Sequence, residues 1–154
     1  WNPPKKPSIH IHLRLRIFQC PALHSLGQIF GRMLQARHVL FTAMDKDSDH
    51  VEFVEQFGNR FFYGDLTRLD LLQSVGIRKV RILVLAVDDV EDSFQIVDLA
   101  REQNPDIRIV ARAIDRFHAY ELHKRDVHNV IRETFASSLE VATDTLEHLG
   151  HTEG

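Results

Sequence analysis

The run from Ile82 to Val87 is continuously apolar, and segments with apolar residues at helical spacing lie on both sides of it. An uninterrupted run of this length is typical of a central parallel strand, which is buried on both faces. Strand and helix patterns alternate in the same way along most of the chain. We therefore expect an α/β domain, with a parallel sheet of about six strands, helices on both faces and right-handed crossovers.

The remaining elements follow from the same two patterns. Strands are predicted at 39–44, 61–63, 107–113 and 127–131, and helices at 47–58, 67–74, 90–103, 116–125 and 134–149. Thr67 and Asp70 are spaced like a capping box, and Asp115 is placed to cap the helix that follows it. In such sheets ligands bind beyond the carboxyl ends of the strands, at the point where the strand order reverses.

The first strand and helix depart from this pattern. Apolar and polar residues alternate from His10 to Ile17, which indicates a strand with one solvent-exposed face. The first strand of such a sheet is normally central, so arginines on a covered face would need partners. The helix after it is regular, since the apolar residues between Leu26 and Leu34 fall on one face. We interpret the first βα unit as degenerate.

Length, charge and cysteine content limit the class of protein. The 154 residues suit one domain, predicted at 10–150, with a proline-rich lead-in at 1–9 and a tail at 151–154. A formal net charge of -3 argues against a nucleic-acid binder. The single cysteine, Cys20, is consistent with the cytosol, and no apolar run reaches the roughly 18 residues of a membrane helix.

The turn before the first helix is the predicted phosphate site. A G-x-G-x-x-G loop aligned on Gly27 places Ala22 and His24 where its first two glycines would lie. Leu26 and Gly27 would then belong to a helix N-terminus that faces phosphate. The alternative is that Gly27 only allows close packing of helix on strand.

Acidic residues follow the next two strands. Asp45 follows Gly27 by 18 positions and could accept hydrogen bonds from ribose hydroxyls, or it could cap the next helix, for which Asp47 is better placed. Asp65 could accept from the exocyclic amine of adenine, with Thr67 beside it. A tight turn with a cap explains Gly64 and Thr67 equally well.

The fourth and fifth strands end in charged residues. Asp88 and Asp89 could do acid–base work, although two acids before a helix more often favour its dipole. Arg112 could bind an anion, and a salt bridge to Asp88 or Asp115 is the alternative. No catalytic nucleophile is paired with a base at a recognisable spacing, and the histidines, His118 included, lack metal-ligand spacing and are taken as surface residues.

The last predicted helix carries a heptad-like seam. Its apolar residues are spaced 4, 3, 4 and 3 apart, at Phe135, Leu139, Ala142, Leu146 and Leu149. Such a seam is narrower than a core-facing helix needs, so it predicts a homodimer. The alternative is that the helix docks on its own sheet.

Several blocks together identify a resemblance. They are Gly27–Arg32, Phe62–Leu72, Ala86–Asp89, Val110–Arg116 and Arg132–Phe135. With them the chain resembles the TrkA-N domain, also called RCK or KTN, and within it the C-terminal domain of Kef-type, glutathione-gated potassium efflux antiporters. The resemblance runs from about Gly27 to Gly150.

The resemblance implies a dimeric Rossmann-like domain that binds NAD(H) or an AMP-like nucleotide and is not an enzyme. Its partner would be a membrane potassium efflux antiporter or channel, and its place the cytoplasmic face of the bacterial plasma membrane. Leu26 and Gly27 would contribute to the phosphate turn, Asp45 to the ribose site, and Asp65 with Thr67 to the adenine side. Asp88 and Arg112 would lie at the mouth of the cleft.

The chain departs from the family at the phosphate turn. Ala22-Leu23-His24-Ser25-Leu26-Gly27 stands where the family reads like Gly-Phe-Gly-Arg-Phe-Gly, and Ile114 replaces a family arginine. Phosphate and glutathione binding are therefore expected to be weakened. Two rival interpretations are an NAD-dependent oxidoreductase fragment and a dimerisation module that has lost its ligand.

Overall fold

A computed structural model describes residues 15–19, 26–39, 41–45 and 60–150 of the chain. Six strands and five helices alternate in these stretches. They are β1 Leu15–Gln19, α1 Leu26–Ala36, β2 Phe41–Asp45, β3 Arg60–Tyr63, α2 Leu69–Ser74, β4 Ile82–Ala86, α3 Val90–Gln103, β5 Arg108–Ala113, α4 Arg116–Lys124, β6 Asn129–Arg132 and α5 Glu133–His148, with a short 3-10 turn at Ile77–Lys79. The predicted helix at 47–58, the lead-in at 1–9 and the tail at 151–154 lie outside the described residues.

The strands form one sheet in the order β3-β2-β1-β4-β5-β6, and every neighbouring pair is parallel. This is the strand order of a doubly wound Rossmann sheet. The chain turns to one side of β1 for β2 and β3, and to the other side for β4, β5 and β6. The predicted parallel α/β architecture is confirmed, and β1 is central in it although its sequence pattern is irregular.

Alternate residues of β4 belong to two core clusters. Leu83 and Leu85 are buried in the larger cluster, together with residues of α3 and α4. Ile82 and Val84 pack in the smaller cluster, which includes Phe30 of α1. Because successive side chains of a strand point to opposite faces, helices cover the sheet on both sides.

One predicted helix start is wrong. α2 begins at Leu69, and its N-cap residue, Arg68, makes no capping hydrogen bond with its side chain. Thr67 and Asp70 do not form the predicted capping box. The Thr67 hydroxyl instead donates to Asp65, and Asp70 pairs with Arg68 at 3.0 Å on the surface.

The last helix begins without a loop. β6 ends at Arg132, and α5 starts at Glu133. None of the residues of α5 is buried, so the helix does not dock on its own sheet as the alternative proposed. Among the described helices, none combines the length and the apolar character needed to cross a bilayer.

Candidate functional site

In sheets with this strand order, the ligand cleft lies at the carboxyl ends of β1 and β4, where the direction of winding reverses. In the sheet register Gln19, the last residue of β1, lies between Asp45 of β2 and Ala86 of β4. Asp45 is therefore at the carboxyl end of its strand and next to the switch point. Asp65, Asp88 and Arg112 follow or end the neighbouring strands at the same edge.

Leu26 and Gly27 are the first two residues of α1, the helix that follows the central strand β1. This is the position from which a helix N-terminus faces a bound phosphate in the Rossmann fold. Ala22, His24 and Ser25 of the predicted phosphate turn lie outside the described residues. Phosphate binding at this turn stays a prediction.

Asp65 holds the turn that follows β3. Its Oδ1 accepts hydrogen bonds from the Thr67 backbone N–H at 2.9 Å and from the Thr67 hydroxyl at 2.7 Å. A Cβ on Gly64 would come within 2.9 Å of the side-chain ends of Leu71 and Met44, so glycine lets this turn lie close to the core. The turn-forming role proposed as the alternative is thus present, and a contact of Asp65 or Thr67 with adenine stays a prediction.

Arg112 is the centre of a charged cluster at the carboxyl edge. Its side chain is only 11% exposed, and it donates to Asp88 through Nη2 and to Glu133 Oε2 through Nη1 at 2.8 Å. Burial by itself would lower the pKa of Arg112, but the hydrogen bonds and charges of Glu133 and Asp88 outweigh it and raise the pKa. The predicted salt bridge to Asp88 is present, whereas Asp115 is not its partner.

The two carboxylate partners of Arg112 argue against the anion-binding role considered for it. Two carboxylates against one guanidinium leave a net negative charge, which disfavours a direct anion site at this side chain. Glu133 lies in the block Arg132–Phe135 that carries the resemblance, but no site role was predicted for it. The available signal was its position directly after the last strand, which in a parallel sheet ends at the same edge as Arg112.

Two further acids at this edge, Asp89 and Asp115, are helix caps. Asp89 accepts from the Asp92 N–H at 2.9 Å at the start of α3. Asp115 accepts from the His118 N–H at 2.7 Å at the start of α4, as predicted. Both carboxylates satisfy backbone donors that a helix N-terminus leaves open.

His118 was predicted to be a surface residue, and that prediction is wrong. The side chain is 0% exposed, lies edge-on to Phe94, and links α4 to α3. Its Nδ1 accepts from the Ile114 N–H at 3.2 Å, and its Nε2 lies 2.7 Å from Ser93 Oγ. Because Ser93 donates its own proton to the Val90 carbonyl at 2.6 Å, Nε2 carries the ring proton and donates to Ser93.

The neutral form of His118 fits this environment. Burial lowers its pKa below the ordinary 6.5; the charge of Asp115 opposes this shift, and that of Arg112 adds to it. Protonation would also place an Nδ1–H against the Ile114 N–H, which is a donor. The buried ring therefore favours the neutral imidazole.

This environment predicts a pH-dependent stability. Between the lowered folded pKa and 6.5, the unfolded chain takes up a proton at His118 that the folded chain does not. The free energy of unfolding should therefore fall as the pH is lowered from 7 towards 5, by at most about 1.4 kcal/mol per pH unit from this residue. Urea unfolding of the parent and of His118→Gln at several pH values measures the difference in slope.

The matched control is His123→Gln, since His123 is exposed on the same helix. It should keep the parental pH dependence, while His118→Gln loses part of it. Parallel curves for the parent and His118→Gln would show that the buried imidazole does not carry the effect.

A shallow cavity of about 280 Å³ lies at the opposite edge, where β5 and β6 begin. Arg101 lines the cavity and donates hydrogen bonds to the carbonyls of Ile107 at 3.3 Å and Asp126 at 2.7 Å. It therefore links the segment before β5 to the segment before β6. Ligands of this fold bind at the other end of the strands, and we do not place the site here. Within the described stretches no group of three acidic, histidine or cysteine side chains could hold a metal ion.

Comparison with known proteins identifies the family. The sequence model of the TrkA-N domain matches residues 23–133. The chain belongs to the TrkA-N family. The match includes Gly27, Asp45, Asp65 and the charged cluster, so the candidate site residues lie within the shared domain.

Curated relatives of this TrkA-N domain are potassium-efflux proteins. The glutathione-regulated potassium-efflux system protein KefC of Cronobacter sakazakii is 42% identical over 124 residues, and that of Escherichia coli O139:H28 is 40% identical over the same length. The matched segment is 80% of this chain but 20% of each relative. The chain thus spans about one fifth of the length of the curated relatives that it matches.

Solved structures share the fold of this domain. The Kef CTD of Shewanella denitrificans in AMP-bound form is 34% identical, with a TM-score of 0.76 over 90% of this chain and 83% of that one. The TrkA-N domain of the Escherichia coli inner membrane protein ybaL shares the fold, at 22% identity and a TM-score of 0.73 over 92% and 99% of the two chains. The GsuK channel bound to NAD shares it at 18% identity and a TM-score of 0.66, over 77% of this chain and 21% of that one.

Proposed function

We propose that this TrkA-N domain binds an AMP-like nucleotide or NAD(H) at the carboxyl edge of its sheet and thereby regulates potassium transport. The observation that carries the proposal is the 34% identity to a Kef CTD in AMP-bound form, over nine tenths of this chain. The strand order supports it, since the cleft between β1 and β4 is the nucleotide site of doubly wound sheets.

Three residues would bind the nucleotide from the β2 and β3 side. Asp45, at the end of β2, would accept from the ribose hydroxyls, and Asp65 with Thr67 would flank the adenine. Leu26 and Gly27, at the start of α1, would offer backbone N–H groups to a phosphate. Asp88 and Arg112 would border the cleft on the β4 and β5 side. With Ala22 and His24 in place of glycines, the phosphate contact is expected to be weak.

The proposed role is regulatory and not catalytic. On the β4 and β5 side of the cleft, five charged side chains make structural bonds: Asp89 and Asp115 cap helices, and Arg112 bonds to both Asp88 and Glu133. A general acid or base needs a side chain that can exchange a proton with a substrate. This arrangement favours binding over the rival function of an oxidoreductase fragment.

The proposed partners are a second copy of the chain and a membrane potassium efflux antiporter or channel domain. The relatives are potassium-efflux system proteins five times as long as the matched segment, which supports the membrane partner. The exposed seam of α5, with Phe135, Leu139 and Leu146 all about half exposed, supports the homodimer. The domain would then act at the cytoplasmic face of the bacterial membrane.

Calorimetric titration of the chain with AMP and with NADH tests the proposal. We expect binding of both, with NADH weakened by its dependence on the phosphate turn. A chain that binds neither ligand would instead be a dimerisation module. Oxidation of NADH upon addition of small carbonyl substrates would support the oxidoreductase function and contradict the regulatory one.

A further inference from the structure

His118 joins the two chain segments that follow β4 and β5. It lies near the start of α4, and its ring bonds to the first turn of α3 and to the turn that precedes α4. We propose that His118 is an acid-sensitive latch: the neutral ring holds the two segments together, and its protonation releases them and weakens the binding of NAD(H) in the cleft. The effect on binding rests on the function proposed above, whereas the latch itself does not.

One side of the latch is the first turn of α3. The Nε2–H of His118 donates to Ser93 Oγ at 2.7 Å, and the Ser93 hydroxyl donates to the Val90 carbonyl at 2.6 Å. Val90 is the first residue of α3 and directly follows the loop 87–89 that leaves β4. The histidine and the serine are both buried, so these hydrogen bonds take the place of water and fix the ring next to this loop.

The other side of the latch is the turn between β5 and α4. Ile114 directly follows β5 and donates its N–H to His118 Nδ1 at 3.2 Å. Asp115 comes next and caps α4. Because β4 and β5 are parallel neighbours, this turn and the loop 87–89 leave the sheet side by side at its carboxyl edge. His118 therefore connects two adjacent segments at the edge where ligands of this fold bind.

Arg112 links the same two segments a second time. It lies on β5, two residues before Ile114, and its guanidinium donates to Asp88 in the loop that follows β4. Asp88 is also two residues before Val90, on the α3 side of the latch. The placement of Asp88 at the cleft edge therefore depends on the segments that His118 connects.

Protonation changes what the ring can accept. In the neutral ring Nδ1 is an acceptor, whereas a protonated imidazole carries an N–H at both nitrogens. The Nδ1–H would then face the Ile114 N–H, donor against donor, at a side chain that is closed to water. The hydrogen bond from Nε2 to Ser93 needs no change. A protonated His118 would therefore stay on α3 and release the turn before α4.

The surroundings of the ring determine how readily it takes up a proton. Burial disfavours the charged form most strongly and lowers the pKa of His118 below the ordinary 6.5. Asp115, at the cap of α4, opposes this shift, and Arg112 of β5 adds to it. The latch is therefore closed at neutral pH and opens on acidification.

The side that α3 presents to the ring is uncharged. Ser93 bonds to the ring, and Phe94 lies edge-on to it with the ring centres 5.4 Å apart. The charged side chains nearby have other partners: Arg125 stacks on the far side of Phe94 and pairs with Asp98 and Glu121, and Asp89 caps α3. An added proton is therefore poorly accommodated on the α3 side.

The proposed ligand spans the cleft in two halves. The adenosine half would lie on the β2 and β3 side, against Asp45 and Asp65. The nicotinamide half would extend past the switch point towards the loop after β4, because dinucleotides bind across this crevice. Release of the latch frees the loop that carries Asp88, so it should weaken NAD(H) binding and leave adenosine binding unchanged.

NMR titration of the full chain tests the latch without a ligand. Between pH 7.5 and pH 5.0 the His118 ring should take up a proton, and the amide proton of Ile114 should move to the chemical shift of an amide without a hydrogen bond. Both signals should change together, with one midpoint below 6.5. A ring that stays neutral down to pH 5.0, or an Ile114 signal that does not follow the ring, overturns the inference.

Calorimetric titration with NAD+ tests the effect on the cleft. NAD+ is the probe because it is stable in acid and lacks the phosphate group of AMP that titrates at a pKa of about 6. His118→Gln is the reference, since it does not titrate at this position but keeps every other titrating group, His24 included. From pH 7.5 to pH 5.0 the affinity of the parent should fall at least about twofold relative to this variant, and by at most about tenfold per pH unit. Adenosine should show no such difference.

Two further variants complete the experiment. His118→Asn is a second non-titrating variant and gives the same comparison, while His123→Gln, exposed on the same helix, should keep the parental pH dependence. An NAD+ affinity that falls equally in the parent and in His118→Gln overturns the link to the cleft. A chain that does not bind NAD+ at pH 7.5 contradicts the proposed function, and the coupled titration of His118 and Ile114 then decides the latch alone.

Discussion

Replacing Asp45 by alanine should weaken the binding of AMP and NADH about tenfold to a hundredfold. The residue ends β2 and lies next to Gln19 of the central strand, beside the point where the sheet reverses. A carboxylate at this position accepts hydrogen bonds from the ribose. A charge-assisted hydrogen bond contributes about 1.5–3 kcal/mol, which gives the expected change in affinity.

The matched control for this variant is Asp106→Ala. Asp106 is exposed and lies at the opposite edge of the sheet, where β5 begins. Its loss removes the same charge from the chain without touching the cleft, so the nucleotide affinity should stay at the parental value. If calorimetry gives equal affinities for Asp45→Ala and the parent, Asp45 does not bind the ribose. Equal losses in both variants would indicate a general effect of net charge.

Local patterns were enough to predict most of the fold. The helix predicted at 90–103 has those bounds in the structure, because Asp89 caps one end and apolar spacing defines the rest. The prediction of Asp115 as a cap was correct for the same reason, since an N-cap bonds within three residues. The wrong start of α2 shows the limit. Thr67 has two possible hydrogen-bond partners: the carboxylate of Asp65, to which its hydroxyl donates, and a backbone N–H of its own helix, from which a capping hydroxyl would accept. The sequence does not show which one is used.

Contacts between elements were less predictable. The partners of Arg112 depend on the register of β4, β5 and β6, which brings residues 24 and 21 positions apart into one cluster. The prediction that His118 is exposed was wrong because it followed the usual exposure of polar residues. The ring can be buried because Ser93, 25 positions earlier, is a hydrogen-bond partner for it. Helical spacing could have indicated its burial, since it lies four residues before the buried Leu122.

Restoring the glycines of the phosphate turn should strengthen dinucleotide binding. In the Rossmann turn, glycines let the backbone turn tightly and approach the pyrophosphate, and this chain has Ala22 and His24 at those positions. Where such a position needs positive φ, a side chain costs about 1–2 kcal/mol. The imidazole of His24 would also compete for the space of the phosphate oxygens. The double variant Ala22→Gly, His24→Gly should therefore bind NADH roughly thirtyfold to several-hundredfold more tightly than the parent.

Adenosine separates the turn from the rest of the cleft. It depends on the ribose and adenine contacts proposed for Asp45 and Asp65 but has no phosphate, so the double variant should change its affinity little. His128→Gly, in the exposed loop before β6, controls for the added chain flexibility of a glycine and should alter neither affinity. Calorimetric titrations of both ligands on the three proteins give the comparison. Of the two ligands, only NADH has phosphates that can reach the turn at the start of α1. Equal gains in affinity for NADH and adenosine, or no gain for NADH, would therefore show that the turn does not limit dinucleotide binding.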